Sequence, residues 1–427
     1  MPKVLVITYY WPPAGGPGVQ RWLSFTRYLP EFGFQPVVFI PDNPHYPVKD
    51  ETMLGEVPEG IIVYRQKIFE PYLLARRLFG KKADTISSGI IKEEAQSWAE
   101  RLMLWIRGNL FIPDARKFWV RPARKKIMEI LREEQIETLI TTGPPHSLHL
   151  IGLEVKQQTA VRWIADFRDP WTSIGYHRKL KLGSVAQKKH KRLESQVLNS
   201  ADKIITTSRM TRDEFRRITT KPITVITNGY ESGASMESAT LDQRFTLSYI
   251  GSLLSGRNPT NLWKAISELI DENPDLGKHL DVKIVGLISE DVLESIYQYG
   301  LKDHTTIIPY VGHKEAQAYQ RASQVLLLLE IDRAECKGII PGKLFEYMSA
   351  KRPILAIGPE DWEAGHMVEK TRSGVYFNYE AAETLKMQIL EWYKLFQNGK
   401  LHLNPDNIGR YSRRSLTEKL AEELRWE

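Results

Sequence analysis

The stretch "QVLLLLEIDRAECKGIIPGKLFEYMSAKRPILAIG" at residues 324–358 decides the fold class. It opens on an unbroken apolar run, "VLLLL", whose length suits a strand buried on both faces. A turn marked by glycine and proline follows, then a short helical segment from Lys343, then a second apolar run, "PILAIG" at 353–358. Strand, helix and strand in that order read as a parallel βαβ unit. One residue is locally out of place. Lys343 falls on the first turn of the expected helix, where the helix dipole disfavours a cation.

The same alternation runs outward in both directions. Strands are expected at 3–9, 36–40, 61–64, 136–142, 161–166, 203–207 and 222–227. A second set is expected at 246–251, 281–286, 305–310, 324–330 and 353–358. The polar segment "NGYESGASMESATLDQ" from Asn228 separates the sets and reads as a linker. The expectation is an α/β protein of two Rossmann-like, doubly wound domains, 1–230 and 231–409, facing each other across a cleft. The terminal segment 410–427 has helical periodicity and could pack on either domain.

Composition narrows the class. A chain of 427 residues can build two cores, and its single cysteine, Cys336, excludes an intramolecular disulfide framework. No segment reaches the roughly 18 apolar residues of a membrane span, and the chain enters a strand-like run at once. A cytoplasmic location is expected. The net charge of +7 is uneven: Lys and Arg far outnumber Asp and Glu between Arg65 and Lys126, and "KKHKR" at 188–192 adds a cluster. The stretches "FEPYLLARRLFGKK" (69–82, with Arg76, Arg77, Lys81 and Lys82) and "RLMLWIRGNLFIP" (101–113) mix cations with Phe, Leu and Trp. They read either as solvated helix faces or as surface helices lying on an anionic membrane, peripheral to the inner face. No base-stacking module or basic recognition helix is evident, so no nucleic-acid partner is expected.

Ligands of open α/β sheets bind beyond the carboxyl ends of strands, and several unusual groups fall there. "YYWPPAGGPGVQRW" (9–22) carries Gly15, Gly16 and Gly18 ahead of a helix starting near Val19. It reads as a loop whose amides face an anion, with Arg21 in support, or as a bare flexible turn. "GPPHS" holds His146 on a proline-stiffened loop. In "WIADFRDPW", Asp166, Arg168 and Asp169 form either a closed ion-pair set or a carboxylate face for acceptor hydroxyls. "YIGSLLSGRNPTNL" places Arg257 and Asn258 before a helix beginning near Pro259. Lys343 and Glu346 share one helix face. A diphosphate at that helix N-terminus, held with Arg257, makes the lysine an asset.

Together "PPAGGPGVQR", "IPDARKFW", "GPPHS", "DFRDPW", "VITNGYE", "YIGSLLSGRNP" and "PGKLFEYMSAKRPILAIG" resemble the retaining, family 4 glycosyltransferases of GT-B fold used in bacterial surface polysaccharide assembly. The resemblance covers nearly the whole chain. It implies a metal-independent transfer from a nucleotide sugar, UDP- or GDP-linked, to a glycan or lipid-linked acceptor, with no other cofactor. Arg257 matches the residue contacting the diphosphate, Lys343 lies in the same motif, and Glu346 matches the glutamate that meets the ribose. Gly15 and Gly16 match the loop facing the donor phosphates, and His146 matches a cleft histidine. Such enzymes commonly close their last helix onto the N-terminal domain. One position departs: Gly338 stands where the first glutamate of a spaced pair belongs. That leaves open a catalytically silent homologue that binds nucleotide sugars or glycans as an assembly partner, and leaves open whether Glu335 substitutes.

Overall fold

The computed structural model describes residues 1–71, 98–175, 177, 180–232 and 240–426. Arg76, Arg77, Lys81 and Lys82, and positions 233–239 of the polar linker, lie outside the described residues. The chain forms two compact units, Met1–Asn228 with Arg413–Glu427, and Gly229–Ser412.

The first unit is built on seven parallel strands: β1 (Lys3–Ile7), β2 (Gln35–Pro41), β3 (Ile62–Gln66), β4 (Thr138–Gly143), β5 (Arg162–Phe167), β6 (Lys203–Thr206) and β7 (Ile223–Val225). Their order is β3-β2-β1-β4-β5-β6-β7. Val4 to Ile7 of β1 are all buried, because crossover helices cover both sheet faces. Among the described residues those helices are α1 (Pro17–Tyr28), α2 (Trp98–Leu110), α3 (Val120–Glu133), α4 (Ser147–Lys156), α5 (Ser184–Ser200) and α6 (Arg209–Phe215). In α3 the apolar residues Val120, Ala123, Ile127, Ile130 and Leu131 recur at helical spacing and are the buried ones.

The second unit has six parallel strands, β8 (Phe245–Ile250), β9 (Leu280–Val285), β10 (Thr305–Ile308), β11 (Val325–Leu329), β12 (Ile354–Ile357) and β13 (Gly374–Phe377), in the order β10-β9-β8-β11-β12-β13. Its helices are α7 (Thr260–Glu272), α8 (Pro274–His279), α9 (Glu290–Gln298), α10 (His313–Ala322), α11 (Lys343–Ala350), α12 (Glu363–Lys370) and α13 (Ala382–Gln397). The apolar run in β11 serves two cores by alternation. Val325, Leu327 and Leu329 join α7 and α13 on one face, while Leu326 and Leu328 join α11 on the other.

The last helix, α14 (Arg413–Leu424), belongs to the first unit. Leu416, Leu420 and Leu424, one turn apart, enter that unit's core. Arg413 donates to Gln20 at 2.7 Å and Thr224 donates to Glu423 at 2.7 Å, tying the helix to α1 and β7.

Strand β13 has no counterpart among the expectations from sequence. It is four half-buried residues long, too short for a periodic signal, and it starts at a glycine whose missing Cβ lets the Ile354 carbonyl approach. Each sheet reverses its strand order beside its first strand, between β1 and β4 and between β8 and β11. Those two switch points are where ligands of this architecture bind.

Candidate active site

At the second unit's switch point the chain leaves β8 through Gly251, whose φ of +129° only glycine adopts without strain. A Cβ there would stand 2.8 Å from the ammonium of Lys343. Helix α11 carries that lysine. Leu344, Phe345, Tyr347 and Met348 bury its inner side, and Lys343 and Tyr347, one turn apart, both reach the end of β8. The Tyr347 hydroxyl accepts from the Ile250 N–H at 3.1 Å, and Lys343 Nζ donates to the Ile250 carbonyl at 3.0 Å. The ammonium also lies 3.8 Å from the centre of the Tyr249 ring.

The side chain of Lys343 therefore turns away from the helix axis toward groups that accept a cation. These partners do not offset its cost in full. Burial first, and the charge of Arg257 second, push its pKa down to about 7. Arg257 approaches from the turn after β8 and forms an ion pair at 3.1 Å with Glu330, which is wholly buried at the end of β11. Glu330 also accepts from the Ile331 N–H at 2.9 Å. Two cations thus converge around one buried carboxylate. Glu346 is held on the same helix by Gln320 of α10 at 2.9 Å. Asn258 uses its carbonyl oxygen to accept from the Trp263 indole at 2.7 Å, which fixes the start of α7.

Reading the sequence does not single out Glu330. Its signal is nonetheless legible: an acid closing an apolar strand run at the carboxyl end.

The first unit has an open pocket of about 300 Å³ at its own switch point, lined among others by Tyr10, Arg116, Pro144, His146, Asp169 and Trp171. Asp114 shapes it by accepting from the Arg116 N–H at 2.9 Å and from the Ser147 N–H and hydroxyl at 2.9 and 2.8 Å. That links the "IPDARKFW" loop to the start of α4, where His146 sits. The His146 ring stacks on Trp171, 4.9 Å between centroids and 2° from parallel. It is buried, and neither ring nitrogen has a hydrogen-bond partner. Burial, then nearby His149, holds its pKa well below the usual range, so the imidazole is neutral. Burial raises the pKa of Asp169, opposed by the charge on Arg168.

Several site assignments drawn from the sequence need correction. Arg21 and Asp166 do not face an acceptor or an anion: they form a closed, buried ion pair at 3.0 Å. Arg21 also donates to the Thr227 carbonyl, and Trp22 and Thr142 complete the carboxylate's shell. Gly15 is not an anion donor either, since its N–H is spent on the Val48 carbonyl at 3.2 Å. Gly18 is small because the Arg168 guanidinium fills the place of a side chain, on its way to the Pro144 carbonyl. Arg168 is thereby a clamp between α1 and the His146 loop. Gly16 alone keeps the expected strained backbone, with φ of +109° and open space beside it. Gly18→Ala should destabilise the first unit by about 1–2 kcal/mol, because a flexible guanidinium must move. Removing the obstacle in Gly18→Ala/Arg168→Ala should make the two losses non-additive in denaturant titrations.

Among the described residues, no group of three His, Cys, Asp or Glu side chains is placed to hold a metal ion. Residues 18–233 match the model of Glycosyltransferase Family 4, half of the whole chain. The chain belongs to that family. No curated protein sequence matches it. Solved structures resemble this family 4 glycosyltransferase over almost their whole length at low identity, which speaks for the GT-B fold. WaaG, "a glycosyltransferase involved in lipopolysaccharide biosynthesis", aligns with a TM-score of 0.54 at 10% identity, covering 99% of this chain and 100% of that one. An E. coli structure titled "Trehalose-6-phosphate" and bound with UDP-2-fluoro glucose gives 0.60 at 10% identity, covering 99% and 98%. S. aureus TarM, in complex with UDP among other molecules, gives 0.56 at 10% identity, covering 99% of each.

Proposed function

We propose that this glycosyltransferase moves a sugar from a nucleoside-diphosphate sugar to a hydroxyl of a glycan or lipid-linked acceptor, with retention at the anomeric carbon and without a divalent metal. One observation carries the reading: Arg257 and Lys343 converge at a switch point with a single buried carboxylate to balance them. A diphosphate is the ligand that relieves this excess of positive charge. UDP in the titles of two similar structures favours a UDP-sugar donor, with a GDP-sugar as the alternative.

In the proposed reaction the bond from the anomeric carbon to the diphosphate breaks as the acceptor oxygen bonds to that carbon. Arg257 and Lys343 stabilise the charge gathering on the leaving group, where fixed donors in a low-dielectric site are most effective. The departing phosphate takes the acceptor's proton. Glu346 accepts from the ribose hydroxyls. In the first unit the neutral His146 and the Asp169 carboxylate hydrogen-bond the acceptor's sugar hydroxyls, with the Trp171–His146 stack as an apolar wall.

A thermal-shift screen of UDP-, GDP- and other nucleotide sugars tests donor choice, because specific binding stabilises by mass action. Transfer to a soluble acceptor, resistant to chelator and yielding the donor's own anomer by NMR, is the expected result. Binding without any transfer would leave the catalytically silent reading that Gly338 suggests. His146→Ala should lower turnover about tenfold, the worth of one hydrogen bond, with donor affinity unchanged. Normal turnover would return His146 to a structural role.

A further inference from the structure

Helix α2 presents Trp98, Leu102 and Trp105 to solvent, with Trp98 77% exposed. Their spacing of four and three residues puts them on one stripe. The C-terminal end of the helix is anchored: Gly108 has no room for a Cβ against Leu180 and Leu182, and Asn109, one turn beyond Trp105, exchanges hydrogen bonds with Lys181 and Gly183. Those contacts set α2 beside the start of α5, where Val185, Lys188, Lys189, Lys191 and Arg192 are exposed. The apolar surface continues through Leu110 to Phe118, which meets Phe111 and Phe69 at 6.1 and 5.8 Å. Lys117 lies 5.1 Å from the Phe118 ring centre, and after burial the charge on Lys189 is the next cause lowering its pKa. Helix α5 has one acidic residue, Glu194, and it is buried against Thr172. Aromatic and cationic groups therefore share one face.

We propose that this face, the outer stripe of α2 with the basic start of α5, docks on an anionic lipid bilayer. Proteins rarely leave a contiguous aromatic patch in water without a use for it. The company it keeps selects the occupant. Lysine is depleted at protein–protein interfaces, and here Lys117 and Lys189 adjoin the patch while Lys188 and Lys191 are exposed on the same stretch of α5. Tryptophan at the water boundary, with cations to meet lipid headgroups, is instead the pattern of a helix lying in a membrane interface. Trp98, Leu102 and Trp105 insert among acyl chains, and the α5 lysines meet phosphate.

The test uses the full chain sedimented with vesicles of phosphatidylcholine alone or mixed with phosphatidylglycerol. Binding should require phosphatidylglycerol and weaken with added salt. Trp98→Ser/Leu102→Ser/Trp105→Ser should lower partitioning about tenfold, given the apolar area removed. Lys188→Glu/Lys189→Glu/Lys191→Glu should lower it at least roughly fivefold. Tryptophan fluorescence of the unaltered protein should be quenched by brominated lipid, a readout that needs no variant. Equal binding to both vesicles, full binding by the triple serine variant, or no quenching would overturn the proposal. So would elution as a dimer that the serine variant abolishes, since a second copy would then be the occupant.

Discussion

Lys343→Met is expected to weaken nucleoside-diphosphate binding by roughly ten- to a hundredfold while making the free protein more stable near neutral pH. Both effects follow from one placement. The ammonium is enclosed by the Ile250 carbonyl, the Tyr249 ring and Gly251, and Arg257 faces it with like charge. Its pKa falls to about 7 from an ordinary value of 10.5, so the folded protein binds fewer protons than the unfolded chain between those limits. Stability from this group then rises with pH across that window, and the full penalty is present below about pH 7. Methionine, similar in length and uncharged, should raise the unfolding free energy on the order of 2 kcal/mol at pH 6–7, with the gain shrinking toward pH 10. UDP titration by calorimetry checks the other half. Wild-type affinity should fall as pH rises above 7, with proton uptake on binding, and Lys343→Met should lose both the affinity and its pH dependence. Arg257→Ala should lose about 1.5–3 kcal/mol of affinity by the same argument. Unaltered UDP affinity in both variants would remove this site from the enzyme.

The second large effect is acid lability of the first unit. His146, His149, His177 and His190 are all buried, and burial is the leading cause that lowers each pKa, to about 3 for His149 and about 4 for His177 and His190. The unfolded chain takes up protons below about pH 6.5 that the folded state refuses, so stability is lost as pH falls through that value. With all four groups titrating, the slope should approach about 5 kcal/mol per pH unit. Asp169 and Glu194, whose pKa values burial raises, act in the opposite direction and blunt the loss. Urea titrations at pH 7, 6 and 5 should show this fall. His177→Gln should reduce the slope by about 1.4 kcal/mol per pH unit. A protein equally stable at pH 7 and pH 5 would contradict the argument.

Much of this is open to a reader of the sequence. Apolar runs such as "VLLLL" and "KVLVI" are dictated locally, because a strand covered on both faces has no polar positions to alternate with. From them comes the α/β class, and from the ordered motifs the family 4 resemblance. Lys343, Arg257 and Glu346 can be named as one group because their oddity is local: charge beside a helix start. Long-range partners carry no such mark. Arg21 and Asp166 stand 145 residues apart, and only folding reveals that they pair with each other. Gly18 reads as a phosphate-loop glycine until Arg168, far along the chain, occupies the vacant side-chain position. Sequence alone settled the α/β alternation and most of its strands, β13 excepted. Tertiary structure decided which charges are spent inside the fold and which remain for a ligand, since desolvation and pairing depend on neighbours that the order of residues does not name.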